Sequence, residues 1–350
     1  MATFKIKNVR IAGVSACVPD KKIENKDSKL FDSEEEKKRY IETVGVETRH
    51  VTDEKTCSSD LCFAAAEKLF DDLGWNKEEV DCLVFVTQTP DFKYPATACI
   101  LQNRLGLPMS CLSFDVSMSC PGWIYGLSVV SSLLSAGKLR KAILLTGETV
   151  SKLRSPYDKV NLITGDAGTA TALEFCESTH DLYFDINTKG DDYKAVWIRD
   201  GGYRNPFNEH SLEYEQCEDG VIRNGIQTYM DGASIFGFAI KRAPESIKRL
   251  METFAITDDN VNYYLLHQAN KVINDKIIKK LKFSVNKFPS NIREYGNTSS
   301  TAIPLMMVCQ LGNDLRGKVS IACGFGGGLA YASTCFTTDE SIVCSELVTI

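Results

Sequence analysis

Apolar and polar residues along the chain fall into stretches with two different periods. Val9 to Val18 and Val80 to Thr89 are apolar, β-branched runs bounded by turn residues, which predicts strands. Ser59 to Leu73 carries apolar residues at helical spacing behind a Ser-Ser-Asp entry, so it reads as a helix. Leu112 to Ser117 and Lys141 to Thr146 are short apolar strands, and Pro121 to Ala136, rich in Leu, Val and small residues, is a buried helix. The opening Met1 to Lys7 alternates apolar and basic residues, the pattern of a further strand and not of a secretory leader. Strand, helix, strand, helix, strand is the order of a layered α/β protein.

The second half echoes the first. Asn260 to Leu266 resembles Glu79 to Phe85, and Leu315 to Ile321 resembles Leu139 to Leu144. Val80 to Val261 is a step of 181 residues and Ala142 to Val319 one of 177, each about half the chain. This predicts an internal duplication, with halves 1–176 and 177–350 sharing one core. Asp191 to Asn224 fits neither half: it is polar, with Gly201-Gly202, Pro206 and several acids, and is either a surface insertion or a cap over a site.

Composition narrows the class. With 350 residues, a net charge of −6 and 43% hydrophobic content, the chain is an ordinary globular protein without the basic face that nucleic acid requires. The long apolar stretch from Cys120 to Leu134 is broken by Pro121, Gly122, Gly126 and serines, so no membrane span is expected. Thirteen cysteines, odd in number and without C-x-x-C spacing, suit a reducing cytoplasm better than disulfides or a zinc site. No metal is expected.

Duplication also makes a geometric prediction: equivalent strand ends of the two halves meet near a pseudo-twofold axis. Cys120 sits where a strand gives way to a helix, with Pro121 in the favoured first helical position, and the positive helix end favours its thiolate. Asn297 lies 177 residues later, the step of the echoed strands, and opens the corresponding helix. His267 directly follows an apolar strand, matching the strand end at Thr87-Gln88-Thr89, whereas His50, His180 and His210 lie in polar surroundings. Together these three form a nucleophile and two candidate acids, bases or oxyanion donors. Gly324-Phe325-Gly326-Gly327-Gly328 lacks the Lys-Ser/Thr of a phosphate loop. It reads either as a tight hairpin turn or as a place where a backbone N–H approaches a reacting carbonyl.

In order and spacing, these segments resemble the β-ketoacyl-acyl carrier protein (ACP) synthase III family of the thiolase superfamily. The likeness runs from Gly45-Val46-Glu47-Thr48-Arg49 through Tyr94-Pro95-Ala96-Thr97, the Cys120 segment, Gly165-Asp166-Ala167-Gly168 and Met230-Asp231-Gly232. It ends with His267-Gln268-Ala269-Asn270, Gly296-Asn297-Thr298 and the Gly324 loop. The resemblance implies a five-layer αβαβα fold, a homodimer and a Cys120-His267-Asn297 triad. It implies an oxyanion hole from the N–H groups of Cys120 and Gly327, and sends Tyr94 toward the partner subunit's acyl pocket. An acyl-CoA or acyl-ACP thioester is then the substrate, with no separate cofactor, and ACP a partner. The implied reaction is decarboxylative Claisen condensation with a malonyl thioester; the alternative is transfer of the Cys-bound acyl group to an alcohol or amine.

The chain also departs from the family pattern. Coenzyme A-primed members sandwich the adenine between a Trp and an Arg; here Arg39 and Asp158-Lys159 stand near those places. The Arg expected after His267-Gln268-Ala269-Asn270 is Val272. Lys271, Lys276, Lys279 and Lys280 line the same helix and read as a docking face for an acidic carrier protein or as a solvated surface. Hydroxymethylglutaryl-CoA synthases need a Glu where this chain has Gln88, and Cys323 is no clear match for a thiolase's second cysteine.

Overall fold

A computed structural model of the chain describes residues 2–177 and 180–350. Its first half runs β1 (Ala2–Ile6), β2 (Val9–Val18), α1 (Glu34–Val44), α2 (Ser58–Leu73), β3 (Cys82–Val86), α3 (Thr97–Arg104), β4 (Leu112–Val116), α4 (Gly122–Ala136), β5 (Lys141–Glu148) and β6 (Ala167–Phe175). The second runs β7 (Leu182–Thr188), β8 (Val196–Ile198), β9 (Thr228–Met230), α5 (Gly232–Thr253), β10 (Tyr263–Leu266), α6 (Lys271–Leu281) and α7 (Ala302–Met306). It closes with β11 (Val319–Gly326), β12 (Ala330–Thr337), β13 (Val343–Cys344) and β14 (Val348–Thr349).

Two sheets carry the duplication. One contains the order β2-β6-β5-β3 and the other β7-β12-β11-β10. The senses agree throughout: β3 and β10 run parallel to β5 and β11, and the remaining neighbours are antiparallel. Period-two patterning assigns the sheet faces. Val84 and Val86 of β3 enter a core shared with Leu127, Ile303 and Leu305 of the helices between the sheets, while Leu83 and Phe85 enter a second core under α2 and α3. A third core buries Ile247 and Ile277 of α5 and α6 against Tyr264, Leu266 and Ile321. The result is five layers, αβαβα, the thiolase-like fold.

The central helices are hydrophobic all round because sheets cover them on both sides. At Gly126 of α4 a Cβ would stand 2.6 Å from Leu144 and 2.8 Å from Val86, so any larger residue would push the helix off the sheet. α2 begins one residue earlier than the Ser-Ser-Asp signal suggests, because the Asp60 carboxylate accepts the Cys57 N–H at 2.8 Å. β3 is shorter than the apolar run around it. Val80 closes a 3₁₀ turn, and past Val86 the Thr87 hydroxyl donates to the Gly147 carbonyl at 2.6 Å, turning Gln88 out of the ladder.

Chain order and sheet membership part company at the termini. β1 pairs with β7 in the second sheet, while β13 and β14 pair with β2 in the first. A cut at 176/177 therefore does not separate the two sheets. Among the described residues, no helix is long and apolar enough to cross a membrane, and all thirteen cysteines are free.

Candidate active site

Cys120, His267 and Asn297 line one cavity of about 330 Å³ between the two halves. Each arrives from the end of a sheet element or the start of a central helix. His267 follows β10 directly, its N–H donating to the Cys323 carbonyl at 2.8 Å and its ring packed edge-on to Phe325. Asn297 is fixed from both sides of its peptide: its N–H donates to Ile163 O at 2.7 Å, and its carbonyl accepts the Gly165 N–H at 3.1 Å. The side-chain Oδ1 accepts the Ser299 N–H at 2.9 Å, which leaves the Nδ2 hydrogens as its donors toward the cavity.

Cys120 stands just ahead of α4. Pro121 is the cap residue and Gly122 the first helical one, one position later than the sequence suggests. The expected thiolate is not the resting form. Burial pushes the thiol up to about 11, against a contact of Sγ with the Ser299 hydroxyl at 3.8 Å; nearby Glu148 pushes it higher and Arg154 lower. Desolvation of the charged form is the largest cause of the shift. His267 shifts the other way: burial holds it down to about 3, opposed weakly by the Ser299 backbone, so the ring is neutral at physiological pH. Its Nδ1 is buried without a hydrogen-bond partner among the described residues.

The glycine-rich loop makes close approach to the thiol possible. A Cβ on Gly326 would lie 2.9 Å from both Cβ and Sγ of Cys120, so only a glycine fits against it. Gly327 also lines the cavity, and its carbonyl accepts the Ser119 hydroxyl at 2.9 Å. From the 191–224 segment, Val196, Trp197 and Ile198 form part of the wall, joined by Thr228 and Met230 of the strand that pairs with them.

Three further residues were not singled out from the sequence. Glu148, at the end of β5, is fully buried. It accepts Ser300 Oγ at 2.9 Å, Ser299 Oγ at 3.3 Å, and the N–H and side-chain amide of Gln88 at 3.2 and 3.3 Å. Burial raises its carboxyl to about 7 despite those donors. Ser299, at a positive φ of 56°, links this carboxyl to Cys120. Arg154 lines the cavity beside Val150 and Leu153. A signal for Glu148 was available: an acid directly prolonging a buried apolar strand, level with Gln88 on the neighbouring strand.

The 3-oxoacyl-[acyl-carrier-protein] synthase III family model matches residues 114–190, and its C-terminal counterpart matches residues 251–338. A β-ketoacyl-[acyl-carrier-protein] synthase III of Enterococcus faecalis is 33% identical over 336 residues, covering 94% of this chain and 98% of its own. One from Streptococcus agalactiae is 31% identical over 331 residues, covering 93% and 97%. A crystal structure of a 3-oxoacyl-(acyl-carrier protein) synthase from Burkholderia xenovorans superposes with a TM-score of 0.93 at 32% identity, covering 99% of both chains. The chain belongs to the β-ketoacyl-ACP synthase III family.

As a synthase III family member it is a condensing acyltransferase. Arg39 and Lys159, the residues that stand near the expected adenine-binding places, lie at the surface. Arg39 is exposed on α1, while Lys159 pairs with Glu36 at 2.6 Å and lies over the Phe31 ring at 4.9 Å. Lys271, Lys276, Lys279 and Lys280 are exposed on α6, Lys271 paired with Asp275 at 2.6 Å. Tyr94 is outside the cavity, 89% exposed between β3 and α3.

Proposed function

We propose that this synthase III condenses a Cys120-bound acyl group with a malonyl thioester. The observation that carries the reading is the meeting of Cys120, neutral His267 and the Asn297 amide on one enclosed wall. In the first half-reaction Sγ attacks the donor thioester carbonyl, the donor C–S bond breaks, and the departing thiol takes the Cys120 proton. The N–H groups of Cys120 and Gly327 receive the tetrahedral oxyanion. In the second, the malonyl C–C bond breaks, CO2 leaves, and the electron pair moves onto the thioester oxygen. His267 and Asn297 Nδ2 donate to that enolate without needing a charge of their own. The enolate carbon attacks the acyl carbonyl, the Sγ–C bond breaks, and the thiolate regains a proton.

The acyl donor and extender are carried on ACP or coenzyme A, and exposed lysines of α6 form the docking face for the acidic carrier. The enzyme acts as a homodimer in the cytoplasm. Supporting this, among the described residues β4 has only β3 as a neighbour and leaves a bare sheet edge, with Phe92, Tyr94, Met109 and Leu112 exposed nearby.

Intact-protein mass spectrometry with a panel of acyl-CoA and acyl-ACP thioesters, followed by CO2 release from labelled malonyl-ACP, tests the reading. An adduct at Cys120 and CO2 release that depends on His267 and Asn297 are expected. An ester or amide product without CO2 would assign heteroatom acylation instead. No adduct with any donor would remove Cys120 as the nucleophile.

A further inference from the structure

Among the described residues, Arg154 is the one Asp, Glu, Lys or Arg on the cavity wall that holds Cys120. The surrounding wall is largely apolar, including Val150, Leu153, Val196, Met230 and Phe325. Its Nε donates to Thr164 Oγ1 at 3.2 Å, and Nη1 is buried with no hydrogen-bond partner among the described residues. The acid that acts on it, Asp158, already accepts the Val160 N–H at 2.9 Å and stands 3.8 Å from Arg223. The backbone that carries Arg154 is firmly held. Asp166 accepts the Ser151 N–H at 2.9 Å and the Thr52 N–H at 2.9 Å, anchoring the 3₁₀ turn that Arg154 ends.

An arginine cannot shed its charge by losing a proton, so an incompletely paired guanidinium in an apolar wall is satisfied by a counter-charge that arrives with a ligand. Its planar edge matches a carboxylate, which it can hold through two parallel hydrogen bonds. The carboxylate lost as CO2 is a poor candidate. Holding it would stabilise the ground state, while decarboxylation must draw its charge onto the thioester oxygen.

We infer that Arg154 makes this cavity a receptor for a second carboxylate, one that remains in the product. The inference rests on the acyl-transfer reading of the same site. A retained carboxylate enters on the acyl donor or on the acceptor, and the two arms of the test separate those sources.

The first arm follows Cys120 acylation by intact mass with N-acetylcysteamine thioesters of succinate and glutarate against butyrate and valerate. The second loads butyryl and follows its removal by 3-hydroxybutyrate against butane-1,3-diol. In one arm the carboxylate-bearing partner should react about 10–100-fold faster, a preference abolished in Arg154→Met and partly retained in Arg154→Lys. Melting temperatures show that both variants fold, and Arg154→Gln replaces any that does not. No preference in either arm, or one that survives Arg154→Met, overturns the inference. So does a preference confined to malonyl groups, or equal slowing of every thioester with a shifted pH profile of Cys120 alkylation, which would mean that Arg154 acts on the thiol. If no thioester acylates Cys120, the acyl-transfer reading fails instead. Protection of Cys120 from iodoacetamide by free glutarate, present in the wild type and absent in Arg154→Met, then still decides the carboxylate site.

Discussion

Replacing Glu148 with Gln keeps the shape of the buried side chain and removes its charge. Ser299 joins the Glu148 carboxyl to the thiol of Cys120 by legs of 3.8 and 3.3 Å. Sγ and Oε1 are therefore at most about 7 Å apart, where two like charges at an effective dielectric of about 20 repel by about 2.4 kcal/mol, or about 1.7 pH units. Glu148→Gln should lower the ionisation midpoint of Cys120 from about 11 by about 1–2 pH units. The sign for stability follows from the same group. Burial raises the Glu148 carboxyl from its ordinary 4.5 to about 7, so between those values the folded protein holds a proton that the unfolded chain has lost. Stability contributed by the protonated form is present in full below about 4.5 and falls as pH rises through about 7, by about 3 kcal/mol in all. Iodoacetamide alkylation of the Cys120 peptide across pH, read by mass spectrometry, measures the first effect; urea melts between pH 4.5 and 7 measure the second. Superimposable alkylation profiles and parallel stability slopes for wild type and variant would refute the reasoning.

Other expectations follow from the same geometry. His267→Ala or Asn297→Ala should slow malonyl decarboxylation about 100–1000-fold while Cys120 acylation persists, measured by CO2 release against adduct formation. Because His267 is held down to about 3, turnover between pH 5 and 8 should show no inflection from it, and any inflection near 7 should vanish in Glu148→Gln. Gly326→Ala would set a methyl 2.9 Å from the thiol and should block acylation with little change in near-UV circular dichroism. Asp185, fully buried, accepts two bonds from Arg249 at 2.7 and 2.6 Å and the Ser246 hydroxyl at 2.6 Å; Asp185→Ala should cost about 3–5 kcal/mol in urea unfolding.

Elements whose patterning reports burial directly were legible in the sequence. β2 spans the whole of its apolar run, and α4 differs from its reading by one residue, because covered strands and a helix sandwiched between sheets are apolar without ambiguity. That Cys120, His267 and Asn297 would meet on one cavity was legible because the repeated halves bring equivalent strand ends together. The thiolate expectation failed because helix polarity is written in local sequence whereas burial is a property of the assembled cavity. Arg154 and Glu148 escaped notice for a related reason. A single arginine or glutamate in a chain is ordinarily a surface residue, and only the packing of both halves encloses these two. The exchange of terminal strands left no local signal at all, since β1, β13 and β14 are short and pair with strands distant in sequence.

That exchange bears on how the protein can be divided. A fragment ending at residue 176 would keep four of the duplicated strands yet expose the outer edge of β2, which β13 and β14 cover in the intact chain. The complementary fragment would lose the edge strand β1. Each would also bare one face of the shared central core. Repetition and autonomy are thus different things in this molecule: its halves repeat one topology, but each borrows an edge from the other. During synthesis on the ribosome the first sheet can gain its last neighbours only when residues 343–349 have emerged, so the N-terminal half waits for the C-terminal one to finish it.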